Sequence, residues 1–120
     1  MAKAPIGLQP ARLRLAAPPG SIRARIELPA GFSAREINPA AAAITAVGKR
    51  LLARPVRRLA AKGAAITDAD RDGRPEVNLH FPLKPLLRYL KVGTRVALTF
   101  KGPLKTPGRF VGSAYLRVAR

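Results

Sequence analysis

Apolar residues alternate with charged ones along much of this chain, and proline and glycine interrupt the pattern at short intervals. That feature restricts the fold more than any other. Ser21–Leu28 sets Ile22, Ala24, Ile26 and Leu28 against Arg23, Arg25 and Glu27. Successive side chains of a strand point to opposite faces, so this segment predicts a half-buried strand. Arg12–Leu15 repeats the pattern, with Leu13 and Leu15 inward, and Pro18-Pro19-Gly20 separates the two as a turn. Val77–Phe81, Arg95–Lys101 and Ser113–Val118 alternate in the same way, and Ala43–Val47 and Arg109–Val111 are weaker strands. The phenylalanines on these strands fall on inward positions and read as core.

Two short helical turns interrupt the strands. Ser33–Glu36 has the spacing of a capping box before Pro39. Pro85–Leu90 opens with proline in a first-turn position, and Gly93 follows its end. Many short strands joined by Gly/Pro turns predict an all-β fold, a Greek-key or immunoglobulin-like β-sandwich of about seven strands. At 120 residues the chain has the length of one domain. The expected organisation is a flexible arm over residues 1–9 and a single sandwich over 10–120. That sandwich would carry a basic loop at 49–62 and an acidic loop at 68–76.

Charge narrows the function. Lys and Arg total 23 against 6 Asp and Glu, for a formal net charge of +17. Such an excess repels itself unless a polyanion neutralises it. Arginine outnumbers lysine, 16 to 7, and its planar fork pairs bidentately with phosphate, which favours nucleic acid as the partner. Arg12, Arg14, Arg23, Arg25, Arg95, Lys101 and Arg117 fall on outward strand positions and would form a cationic face if their strands are neighbours. Lys49, Arg50, Arg54, Arg57, Arg58 and Lys62 add the basic loop. Aromatics are few and only Tyr115 looks outward, so recognition of phosphates on structured RNA or duplex DNA is expected rather than stacking. The plainer alternative is a solvated basic surface without a specific partner.

The acids are concentrated. Residues 68–76 read D-A-D-R-D-G-R-P-E and hold four of the six. Asp68, Asp70 and Asp72 stand at positions 1, 3 and 5 and Gly73 at position 6. The Arg74 carbonyl falls at position 7 and Glu76 at position 9. Calcium takes six to eight oxygens, and alternate carboxylates around a glycine turn supply them. Position 12 is Leu79 and a strand follows, so the pattern is not a helix–loop–helix site. The expectation is a structural Ca2+ loop; the alternative is a turn whose carboxylates cap backbone N–H groups.

Nothing in the chain supports catalysis. His80 is the one histidine, on an outward strand position beside Asn78. Ser21, Ser33 and Ser113 have no nucleophile context, and no Gly-rich phosphate cradle is present. The expectation is a non-enzymatic domain. No cysteine is present, no stretch is apolar enough to span a membrane, and no apolar run follows Lys3 as a signal peptide would require. That pattern predicts a cytoplasmic protein, or an extracellular one if the numbering is of a mature form.

The order of several segments adds a resemblance. I-E-L-P-A-G-F (26–32), E-I-N-P (36–39), D-A-D-R-D-G-R-P-E-V-N-L-H-F (68–81), V-A-L-T-F-K-G (96–102) and F-V-G-S-A-Y-L-R-V (110–118) resemble a family of small β-sandwich modules of archaeal and bacterial surface proteins. The resemblance implies a Greek-key or immunoglobulin-like sandwich with Asp68, Asp70, Asp72 and Glu76 as ion ligands. It implies, as the alternative function, an extracellular calcium-stabilised structural or adhesion module. The chain departs from the family in being strongly basic.

Overall fold

The computed structural model describes residues 2–27, 37–38, 41–59, 64–67 (by backbone alone), 76–104 and 108–120. Among the described residues ten strands run in the order β1 (Ala2–Lys3), β2 (Ile6–Gln9), β3 (Arg12–Arg14), β4 (Ser21–Glu27), β5 (Ala43–Val47), β6 (Arg50–Arg57), β7 (Ala64–Thr67), β8 (Glu76–Pro82), β9 (Arg95–Pro103) and β10 (Arg109–Ala119). They form two sheets. Sheet A has the order β1-β10-β9-β5-β6, with β3 also paired to β10, and sheet B has the order β2-β4-β8-β7. The expected all-β, two-sheet sandwich is what forms.

Its core follows from the alternation. Ile22, Ala24 and Ile26 of β4 and Val77, Leu79 and Phe81 of β8 are buried beside Ile44, Val47, Leu98, Phe100, Phe110, Leu116 and Val118 of sheet A. Burying each large apolar side chain contributes about 1.5–3 kcal/mol, which makes this cluster the main favourable term. Phe81 of sheet B and Phe100 of sheet A meet edge to face, 5.3 Å between centroids at 66°. A 3-10 helix at Lys84–Tyr89 has proline in its first positions and buries Leu86 against the same core. Gly93 follows it at φ 84°, a conformation that a Cβ disfavours. The expected helix at Ser33–Glu36 lies outside the described residues.

Residues 2–9, expected as a loose arm, are built into the sandwich. β1 runs parallel to β10, the Ala4 N–H donates to the Val111 carbonyl at 2.8 Å, and Ala4 is buried. The chain then leaves sheet A for sheet B, where β2 pairs antiparallel with β4, and returns as β3 beside the other end of β10. The two short strands together satisfy backbone groups that an open edge of β10 would leave exposed. The crossing passes over Gly112, where a Cβ would collide with the Ala4 carbonyl oxygen and the Ile6 side chain.

The expected basic loop at 49–62 is also different: Arg50–Arg57 is strand β6, joined to β5 by the two-residue turn Gly48–Lys49 with Gly48 at φ 60°. β6 is the edge of sheet A. Arg50, Arg54, Pro55 and Arg57 are all exposed there, and charges and proline on an edge strand block pairing with another chain. Arg109–Val111 and Ser113–Val118 are one strand, and β7 was not expected from the sequence.

Candidate polyanion-binding face

The two sheets divide the charge unequally. The strands of sheet A carry Lys3, Arg12, Arg14, Arg50, Arg54, Arg57, Arg95, Lys101, Arg109 and Arg117, with no acid among them. All ten side chains are exposed. The strands of sheet B carry Arg23 and Arg25 against Glu27 and Glu76. The expected single cationic face is therefore split, because Arg23 and Arg25 belong to the other sheet.

Register sharpens the picture on sheet A. Arg117 of β10 lies opposite Arg95 of β9 and opposite Arg12 of β3, which places three arginines in one row across three strands. Cross-strand neighbours stand about 5 Å apart at Cβ, and like charges in that position repel. Arg14 follows Arg12 on the same face, its Nε donating to the Arg120 carbonyl at 3.1 Å. The Arg95 guanidinium lies over the Tyr115 ring, 4.2 Å from its centroid, and Tyr115 is 57% exposed. A cleft of about 500 Å³ opens beside the row, walled by Val92, Thr94 and Val118.

A second cationic cluster occupies the other end of the face. Lys101 pairs in register with Ala43 of β5, and Ala43 pairs with Arg57 of β6. Arg57, Lys101 and Arg109 surround a groove of about 370 Å³ floored by Ala43 and Thr45. Lys3 lies in the same row through Val111. Six residues of β9 separate Arg95 from Lys101, about 20 Å at ~3.4 Å per residue. Between the two clusters the outer face carries Ala97, Thr99 and Ser113 on neighbouring strands. Lys3 and Arg109 were missed in the sequence, Lys3 because its segment reads as an arm and Arg109 because its strand is weakly patterned.

Other expected residues fall elsewhere. Lys49 is exposed in the β5–β6 turn, and Arg58 is half-buried just after β6. Arg50 stacks toward Tyr89, which Arg88 also approaches, at 5.5 Å and 5.4 Å from the ring centroid. Lys62 lies outside the described residues. On sheet B, Arg23 donates to the Gln9 side-chain carbonyl, and the Arg25 guanidinium lies against Gly7. His80 is half-buried opposite Arg23.

Of the acidic segment, Asp68, Asp70, Asp72 and Arg74 lie outside the described residues. Its two ends are fixed: Thr67 closes β7 and pairs with Glu76, the first residue of β8. Glu76 is completely buried and stands opposite Glu27 of β4 in register. Asn78, expected outward, is buried as well.

Among the described residues no helix is long and apolar enough to cross a membrane. Comparison of the chain with family models, with curated proteins and with solved structures gives no match.

Proposed function

We propose that this domain is a non-catalytic polyanion-binding protein whose partner is nucleic acid, gripped through its phosphates by the outer face of sheet A. The observation that carries this reading is the in-register row Arg12–Arg117–Arg95, with Lys101 and Arg57 about 20 Å away along the strands and Arg109 beside them. Guanidinium groups in such a row repel one another until an anion lies among them. Duplex DNA carries one phosphate charge per ~1.7 Å of axis with both strands counted, so about 20 Å of it holds about twelve charges, of which the part turned toward the sheet can meet these cations. Structured RNA supplies a comparable lattice of phosphates, read by shape rather than by base edges.

In the same proposal the acidic segment is a structural calcium site at the far end of sheet B. Carboxylates are the hard oxygen donors that calcium takes, and Asp68, Asp70, Asp72 and Glu76 supply four of them, with the Arg74 carbonyl a further oxygen. Glu27, the cross-strand neighbour of Glu76, adds a carboxylate to the same end. This concentration of acids favours a second reading, an extracellular calcium-stabilised adhesion module whose basic face binds an acidic polymer.

Binding to a structured RNA, a duplex DNA and an acidic polysaccharide across a salt series separates the two. With about six phosphate contacts the nucleic-acid reading predicts a log–log salt slope of about −5 and a clear preference for one nucleic acid. Equal, weak binding of all three that vanishes at physiological salt would overturn it in favour of the second reading.

A further inference from the structure

Resting on the nucleic-acid reading, we infer that the Arg12–Arg95–Arg117 end of sheet A receives one unpaired nucleotide, its phosphate on the arginine row and its base stacked at Tyr115. Three features of this end set it apart from the cluster around Lys101. Tyr115 is the one tyrosine among the exposed large hydrophobic residues, and it stands on the same strand and face as Arg117, two residues away. Arg95 already lies over its ring, so a guanidinium and an aromatic ring stand together before any ligand arrives. Nucleobases stack on both kinds of plane, and this stacking tolerates any base because every base has a π-face. The adjoining cleft, about 500 Å³, is lined by the three arginines and by exposed Val92. A site with both cationic and apolar walls suits a ligand unit with an anionic part and a planar apolar part. A sulfated or carboxylated sugar brings the anion without the plane. A base within a duplex has its faces covered by its neighbours, so the nucleotide taken here is one at a loop, bulge or end.

The test compares three duplexes: one blunt, one with a short single-stranded extension, and one whose extension has the same phosphates but no bases, so that the two extended duplexes are equal in charge. Tyr115 and Tyr89 are the two tyrosines and tryptophan is absent, so in the Tyr89→Phe background tyrosine fluorescence reports Tyr115 alone. The inference predicts that the base-bearing extension binds roughly 5- to 150-fold more tightly than the abasic one and quenches Tyr115 emission. Tyr115→Ala erases that difference between the two extended duplexes, whereas Tyr115→Phe retains it. Equal binding of the two extended duplexes, with Tyr115 emission unchanged, overturns the inference while the phosphate-binding reading stands. Failure of all three duplexes to bind at physiological salt overturns both.

Discussion

The strands of sheet A hold ten cations and no acid, while those of sheet B hold two arginines and two glutamates. Both sheets contribute to one apolar core, so the difference does not come from the demands of folding. It lies on the outward positions, where the fold tolerates almost any polar residue. On sheet B each arginine rests against a neighbour: Arg23 on Gln9, Arg25 against Gly7. On sheet A the arginines stand opposite one another, Arg117 facing both Arg12 and Arg95. A row that opposes itself in the free protein is relieved by a polyanion, and that is the physical basis for assigning the binding face to sheet A alone.

The comparison can be tested first through what the sheets share. Phe100→Ala removes the ring that meets Phe81 across the core and should cost about 3–5 kcal/mol. Because the core is common, near-UV circular dichroism and backbone signals should be lost in a single transition; two separate transitions would mean that the sheets are independent units. A smaller effect addresses the acidic end. If calcium occupies the segment at about a hundredfold its Kd, it contributes about 2.7 kcal/mol, so chelator should lower the Tm of the wild type. Asp70→Ala should lower the Tm by the same amount in calcium and leave it unchanged in chelator. An equal loss in both would point to a hydrogen-bonded turn instead.

Gly112→Ala probes the junction between the sheets and should cost about 1–3 kcal/mol, because its methyl group would displace the strand crossing at Ala4 and Ile6. Displacing that crossing also loosens β3 and with it Arg12, so thermal denaturation and nucleic-acid affinity should weaken together. Unchanged affinity in the folded variant would show that Arg12 is not held by this route.

Most of the strands were legible in the sequence, and the reason is local. Ser21–Glu27 and Arg95–Pro103 alternate because each has one face in the core and one toward water, whereas Ala43–Val47 and Glu76–Pro82 are buried on both faces and were legible from their apolar residues instead. Edge strands lack that imprint. β6 is exposed along most of its length and has an arginine on either side of Pro55, so its residues read as a basic loop. β1 and β2 are held by backbone hydrogen bonds to strands more than a hundred and about twenty residues away in turn, which no local pattern encodes. The proposed binding face was legible as outward arginines, but not as a row, because only the pairing of β10 with both β3 and β9 brings Arg12, Arg95 and Arg117 together. That same pairing separates them from Arg23 and Arg25, which the sequence cannot distinguish from them.

The most direct test of the division between the sheets is the salt dependence of nucleic-acid binding for three proteins: the wild type, the Arg12/Arg95/Arg117→Ala variant of sheet A and the Arg23/Arg25→Ala variant of sheet B. Each phosphate contact contributes about 0.9 to the log–log slope. The sheet A variant should lose roughly 2.7 from the wild-type slope, and the sheet B variant should keep the slope within about half a contact. Slopes that fall in both variants in proportion to the charges removed would contradict the assignment, because they would mean that the polyanion responds to net charge and not to this face.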